Sequence, residues 1–175
     1  LGLPQDARII GTAGALTADR GISDLFDAFD RIAGSDENLW LIHAGPTDGS
    51  AGPRTHPRIV DLGMLPQQQV PVLLAALDVG VVCNRDTAFG RYCFPFKLHE
   101  MLAMMIPVVA AALGDVQRLI AGSPHSLYAP GDVAMLADRI AAQLADPSII
   151  DIASPTWQDC AAILRRTLER AHAAR

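Results

Sequence analysis

Short, continuously apolar runs recur along this chain, each separated from the next by a segment of helical spacing. The runs are Arg8–Ala13, Leu39–Ala44, Asp78–Cys83 and Pro107–Ala111. A strand that is apolar at every position needs cover on both faces, and strands alternating with helices supply it as a parallel sheet. The pattern predicts one doubly wound α/β domain over residues 1–175, with helices on both faces of the sheet. Ligands in such sheets bind outside the carboxyl ends of the strands. That rule gathers Ala13–Gly21, Asn84–Lys97 and Ala112–Gln117 around a shared crevice.

Between the runs, Ser23 reads as the cap of a first helix, which buries Leu25, Phe26, Phe29, Ile32 and Ala33 and stops at Gly34. Asp24, Asp27 and Asp30 read as its solvated face. A Gly/Pro-rich loop spans Gly45–Pro57, and a short strand lies near Ile59–Leu62. Pro66 opens a helix carrying Val70, Leu73, Leu74 and Leu77 inward. Asn84–Cys93 reads as loop and Lys97–Met104 as helix. A short helix near Val116–Ile120 and a strand at Ser126–Tyr128 follow. Asp132 caps a helix that Pro147 ends, and a last helix runs from Gln158 to about Ala171.

Composition removes several classes. Half of the 175 residues are apolar and the formal charge is -5, with the basic residues scattered apart from Arg165-Arg166. A nucleic-acid surface needs clustered Lys and Arg, so no nucleic-acid partner is expected. No apolar run reaches membrane-spanning length, so neither a membrane span nor a signal peptide is expected within these residues. Three cysteines, Cys83, Cys93 and Cys160, show no metal spacing and leave one over if two pair. A reduced, cytoplasmic chain is the expectation. No metal site is expected from the His, Cys and carboxylate spacings. The start at Leu1 rather than Met suggests a piece of a longer protein.

The stretch from Phe94 to Ala110 carries the strongest chemistry. Pro95 opens a helical segment in which Lys97 and Glu100 lie one turn apart. A cation in a first turn opposes the helix dipole, and a bound diphosphate would reverse that penalty. Glu100 sits in an otherwise apolar helix. It reads either as half of a weak pair with Lys97 or as an acceptor for ligand hydroxyls. Arg20 follows the loop of the first strand and can hold two phosphate oxygens. Gly14 and Gly21 read as turn glycines that also permit close approach to phosphate. Arg85 and Arg91 read as exposed, Tyr92 as packed on its loop or as a contact to a sugar, and His43 as a core or rim histidine.

The ordered set of motifs resembles the C-terminal half of family-four retaining glycosyltransferases, the glycosyl transferases group 1 of GT-B fold. Gly14–Gly21 resembles their Gly-Arg-Leu…Lys-Gly turn, and Leu39–Pro46 their "LxIxGxGP". Leu62–Pro66 resembles "LGxxP", and Leu73–Val82 "LYxxADVxVxP". Pro95–Ala110 is similar to "PxKLxEYLAxGxPVVA", Tyr128–Asp132 to "xxPGD", and Ser154–Trp157 to "FSW". The departures are Ala15 for an Arg, Tyr92 for an upstream Glu, Met105 for the "AxGxP" glycine, and Arg118 for the "GGxPE" Glu.

The resemblance implies a donor-binding domain that grips a nucleotide-diphosphate sugar, with the N-terminal acceptor domain of the same polypeptide outside this chain. It implies Arg20 and Lys97 as the groups stabilising the leaving diphosphate, without metal or cofactor. Glu100 would hold the ribose, Gly14 would approach the phosphates, backbone near Met64 and Leu65 would seat the base, and Tyr92 would face the sugar. It implies polysaccharide biosynthesis on the cytoplasmic side, with any membrane contact at the inner face made through parts beyond this chain. A degenerate, non-catalytic module and a GT-B sugar-nucleotide epimerase domain are the alternatives, separated by binding and by product.

Overall fold

A computed structural model of the chain describes residues 2–50, 55–153 and 155–173. Six strands form one sheet, all neighbours parallel: β1 (Arg8–Ala13), β2 (Leu39–Ala44), β3 (Ile59–Asp61), β4 (Val79–Val82), β5 (Val108–Ala111) and β6 (Leu127–Tyr128). Their order is β3-β2-β1-β4-β5-β6, so the winding reverses between β1 and β4. Among the described residues seven α-helices accompany them: α1 (Ile22–Ala33), α2 (Val70–Ala75), α3 (Ala88–Tyr92), α4 (Phe96–Ala103), α5 (Gly114–Leu119), α6 (Val133–Ala145) and α7 (Trp157–Ala173).

The doubly wound reading holds because the sheet is buried on both sides. One face packs under α1 and α6, where Leu25, Phe29, Leu136 and Ile140 meet Ile10, Leu41, Val79 and Val81. The other lies under α2, α4 and α5, with Leu74, Leu98, Met101 and Val116 against Ile42, Val82, Val108 and Ala110. Burying such side chains contributes about 1.5–3 kcal/mol each, far above any local propensity term. No residue of α7 is buried, and Ile163, Leu164 and Leu168 on it are exposed. Among the described residues no helix is long and apolar enough to cross a membrane.

Several local expectations need correction. The first helix starts on Gly21 in the left-handed conformation, φ 63°, with no side-chain cap, so Ser23 does not cap it. Asp24 is 3% exposed and does not belong to a solvated face. The segment after Pro66 is a 3-10 turn, Gln67–Gln69, running into α2, and Leu77 is buried just beyond the helix. The Asn84–Cys93 loop contains α3, whose Thr87 cap accepts a hydrogen bond from the Gly90 amide. Asp132 caps α6 as expected, accepting from the Met135 amide at 2.9 Å. Residues 51–54 of the Gly45–Pro57 loop, and Leu1 and Ser154, lie outside the described residues.

Met105 stands where the resemblance has glycine, and its φ is 55°. An L side chain in that region carries strain of about 1 kcal/mol or more. Its side chain is 49% exposed, so little packing offsets the strain. Met105→Gly is therefore expected to be neutral or stabilising by up to about 1 kcal/mol, readable in a denaturant melt, whereas Met105→Val should destabilise.

Candidate functional site

Where the winding reverses, a cavity of about 500 Å³ opens above β1 and β4. Its floor is Ala13, Val82, Cys83 and Asn84; its walls include Gly14, Arg20, Phe89, Phe96, Lys97 and Glu100. The sheet brings Gly14, Arg20, Lys97 and Glu100 together from segments far apart in sequence. Met64, Leu65 and Tyr92 are not among its lining residues. Met64 is 71% exposed, and Leu65 packs partly against the α2–α4 side of the core. Tyr92 is 85% exposed, which overturns packing of its ring against the loop.

Lys97 lies half-buried over the β1 exit, its Cε 2.7 Å from where a Cβ on residue 14 would stand. Gly14, at φ 110°, leaves that space free. Burial, and after it the nearby Arg20 charge, lower the Lys97 pKa to about 8, with Glu100 opposing. Among the described residues Lys97 has no ion pair, so the Lys97–Glu100 pair does not form. Lys97 turns in over Gly14, whereas Glu100 is exposed at the rim. Among the described residues no carboxylate is paired with either of the two cations in this cavity, so its potential is positive.

Arg20 is held from the side. Its guanidinium lies 4.5 Å from the centre of the Phe89 ring, a cation–π contact. The loop carrying Phe89 is tied back to the Arg20 loop by Arg85. The Arg85 amide donates to the Asp19 carbonyl at 3.1 Å. Its guanidinium donates to Asp24 Oδ1 at 2.7 Å and to Ser23 Oγ at 3.1 Å. Arg85 is therefore a paired strut rather than a free surface charge. Burial raises the Asp24 pKa, and the Arg85 charge offsets part of that rise. Arg91 is exposed as expected and pairs with Asp86. The third segment assigned to the crevice, Ala112–Gln117, supports it from behind. Gly114 packs on the Arg91 carbonyl, where a Cβ would come within 2.2 Å.

Two lining residues carried no sequence-level assignment. Asn84 is 5% exposed and its Oδ1 has no protein partner. A polar residue directly after a buried strand, at the carboxyl end of a parallel sheet, was the available signal. Phe89 had none, since α3 is too short for a period. Cys83 is buried and its thiol is pushed up to about 11, so it stays protonated and is no nucleophile at neutral pH. His43 lies off the cavity, with Nδ1 3.4 Å from Asp61 Oδ1 and its ring edge-on to Phe26. Burial lowers its pKa. Among the described residues no three His, Cys, Asp or Glu side chains cluster as a metal site would.

The family model described as glycosyl transferases group 1 matches residues 7–146, the whole sheet and its crevice. The chain belongs to this family. TuaC of Bacillus subtilis (strain 168), assigned to teichuronic acid biosynthesis as a glycosyltransferase, is 28% identical over 140 residues. That match takes in 80% of this chain and 34% of TuaC, so the chain spans about a third of that relative's length. The C-terminal domain of the group 1 family protein LpcC from Francisella tularensis superposes with a TM-score of 0.66 at 18% identity, over 79% of this chain and 76% of that one. TarM of S. aureus, solved with UDP among its ligands, gives 0.65 at 12% identity over 84% of this chain and 31% of its own. At these identities the structural likenesses show the fold alone, a Rossmann-like α/β domain of the kind found in these proteins.

Proposed function

We propose that this group 1 domain binds a nucleotide-diphosphate sugar and supports retaining, metal-independent transfer to an acceptor held by another domain of the same polypeptide. The observation that carries the reading is the pairing of two cations, Arg20 and Lys97, with the rim carboxylate Glu100 in one cavity at the strand-order reversal. When the bond from the anomeric carbon to the diphosphate breaks, its electron pair moves onto the leaving diphosphate. Fixed cations aimed at that oxygen stabilise the charge as it grows. Arg20 is preorganised by Phe89, and Lys97 by its seat over Gly14. Neither group needs to move to meet the charge.

Glu100, exposed and without an ion pair among the described residues, accepts the ribose hydroxyls in this reading. Gly14 lets phosphate oxygens approach the backbone. Tyr92 stands outside the cavity and takes no part in this reading. Synthesis of a cell-surface polysaccharide on the cytoplasmic side is the biological setting that fits, supported by the assignment of TuaC.

Glu100→Gln tests the reading. Charge-assisted hydrogen bonds contribute about 1.5–3 kcal/mol each, so UDP, GDP or ADP, whichever binds, should lose about tenfold or more in affinity by calorimetry. Its 2′,3′-dideoxy analogue should bind both forms equally. Unchanged affinity for the normal nucleotide would remove Glu100 from the donor site. No binding of any nucleotide to the unaltered chain at millimolar concentration would favour the non-catalytic module.

A further inference from the structure

Arg20 stands at a join in the backbone. It ends the 3-10 turn Ala18–Arg20, and the next residue, Gly21, both closes that turn and opens α1. Glycine restrains the backbone less than any other residue, so this turn can swing against α1 unless something outside spans the join. Arg85 spans it. Its amide donates to the carbonyl of Asp19, just before Arg20, and its guanidinium donates to Ser23 and Asp24, in the first turn of α1. These bonds fall on either side of Arg20 and none falls on it. The Arg85 carbonyl works in the other direction. It accepts from the Thr87 amide at 2.8 Å, and Gly90 packs on it so closely that a Cβ would come within 2.0 Å. Those contacts fix α3 and the Phe89 ring that lies against Arg20. One residue therefore sets both the turn that carries the cation and the ring on which the cation rests.

The partner of Arg85 is a costly one if stability were its only use. Asp24 is 3% exposed, and while its Oδ1 accepts from Arg85, its Oδ2 has no hydrogen-bond partner in the protein. Burying a carboxylate with one oxygen unpaired is unfavourable, and apolar side chains of similar volume often stabilise a fold as well as a buried ion pair does. Direction is what the ion pair adds, because the planar guanidinium binds as a rigid fork. We propose that Asp24 and Arg85 are positioning residues for the diphosphate, an ion pair that holds Arg20 and Phe89 in the arrangement an incoming anion meets. The role rests on the proposed donor site. Neither Asp24 nor Arg85 lines that cavity, so their effect on a ligand runs through Arg20.

The test separates direction from stability. The unaltered chain is compared with Asp24→Asn, with Arg85→Gln and with the double variant Asp24→Leu/Arg85→Met. Three quantities are read: melting temperature, calorimetric affinity for inorganic pyrophosphate, UDP, GDP and ADP, and nitrogen relaxation of the Arg20 Nε–H without ligand. Arg85→Gln leaves a buried carboxylate without its counter-charge and should lower the melting temperature, whereas the double variant should recover most of it. All three variants should bind pyrophosphate about tenfold more weakly, the loss expected for one charge-assisted hydrogen bond. All three should also show a more mobile Arg20 Nε–H on the ps–ns timescale. A pair with a structural role alone would return affinity and Arg20 order together with stability in the double variant. Wild-type pyrophosphate affinity in the double variant, or in either single variant at a temperature where it is folded, would overturn the positioning role and leave the donor site standing. Weakened binding with Arg20 order unchanged would overturn it too, since the loss would not run through Arg20. Failure of the unaltered chain to bind any of the four ligands would overturn both.

Discussion

Lys97→Met should make the protein more stable and nearly unable to bind a diphosphate. The amine is half-buried at the crevice, without an ion pair among the described residues, and its pKa falls from 10.5 to about 8. A lowered pKa means that the folded protein binds the proton less tightly than the unfolded chain does. Between about pH 8 and 10.5 the unfolded chain therefore carries more protons, and Lys97 makes stability rise with pH across that window. Below it the buried charge costs about 2 kcal/mol, allowing for the water that still reaches the amine. Met fills similar volume without charge and should raise the melting temperature by about 4–8 °C. Loss of a charge-assisted contact should weaken diphosphate binding by up to about a hundredfold.

The unaltered chain should also show affinity falling as pH rises through about 8, because deprotonation removes the charge. The Met variant should lack that step. A flat affinity profile from pH 7 to 9 in the unaltered chain would place the amine outside the anion site.

Gly45→Ala should be among the most destabilising single-methyl additions available to the fold. Gly45 ends β2 at φ 144°, and a Cβ there would lie 2.1 Å from the Gly14 carbonyl oxygen. Backbone cannot swing aside as a flexible side chain can. The cost combines an unfavourable conformation with displacement of the neighbouring chain, about 3–4 kcal/mol. Chemical denaturation should show that loss with an unchanged m-value. The displaced partner is Gly14, the residue whose missing side chain makes room for Lys97. Diphosphate affinity should therefore fall even at temperatures where the variant is fully folded. A folded Gly45→Ala protein with normal affinity would show that the Gly14 turn is not part of the anion site.

The sheet was legible because its strands announce themselves. Leu39–Ala44 and Val79–Val82 are apolar runs that only double cover explains, and both appear as buried strands. α6 was legible from Asp132 and its apolar period. Features that depend on partners distant in sequence were not. Asp24 looks like one of three surface acids on α1, and its partner Arg85 lies 61 residues away. The i, i+3 spacing of Lys97 and Glu100 suggested a pair, but the lysine turns inward over the space that Gly14 leaves free. α3 spans five residues, too few to show a period. The cations and the rim carboxylate could be named from the sequence, whereas the contact of Arg20 with Phe89 forms only in three dimensions.

The seam between β1 and β4 gives the ligand a mechanical part to play. β1 is matched with β2 along six residues, but with β4 only at Ile10↔Val79 and Gly11↔Gly80. The two halves of the sheet thus meet through the least extensive of β1's two ladders, directly beneath the cavity. Arg20 belongs to the half before that seam, and Lys97 and Glu100 to the half after it. In the proposed reading, a diphosphate held by both cations would be a rivet across the join, closing by charge what the backbone ladder closes only briefly. Amides flanking the seam, those of Ile10, Gly11, Val79 and Gly80, are where occupancy of the crevice should most slow hydrogen exchange.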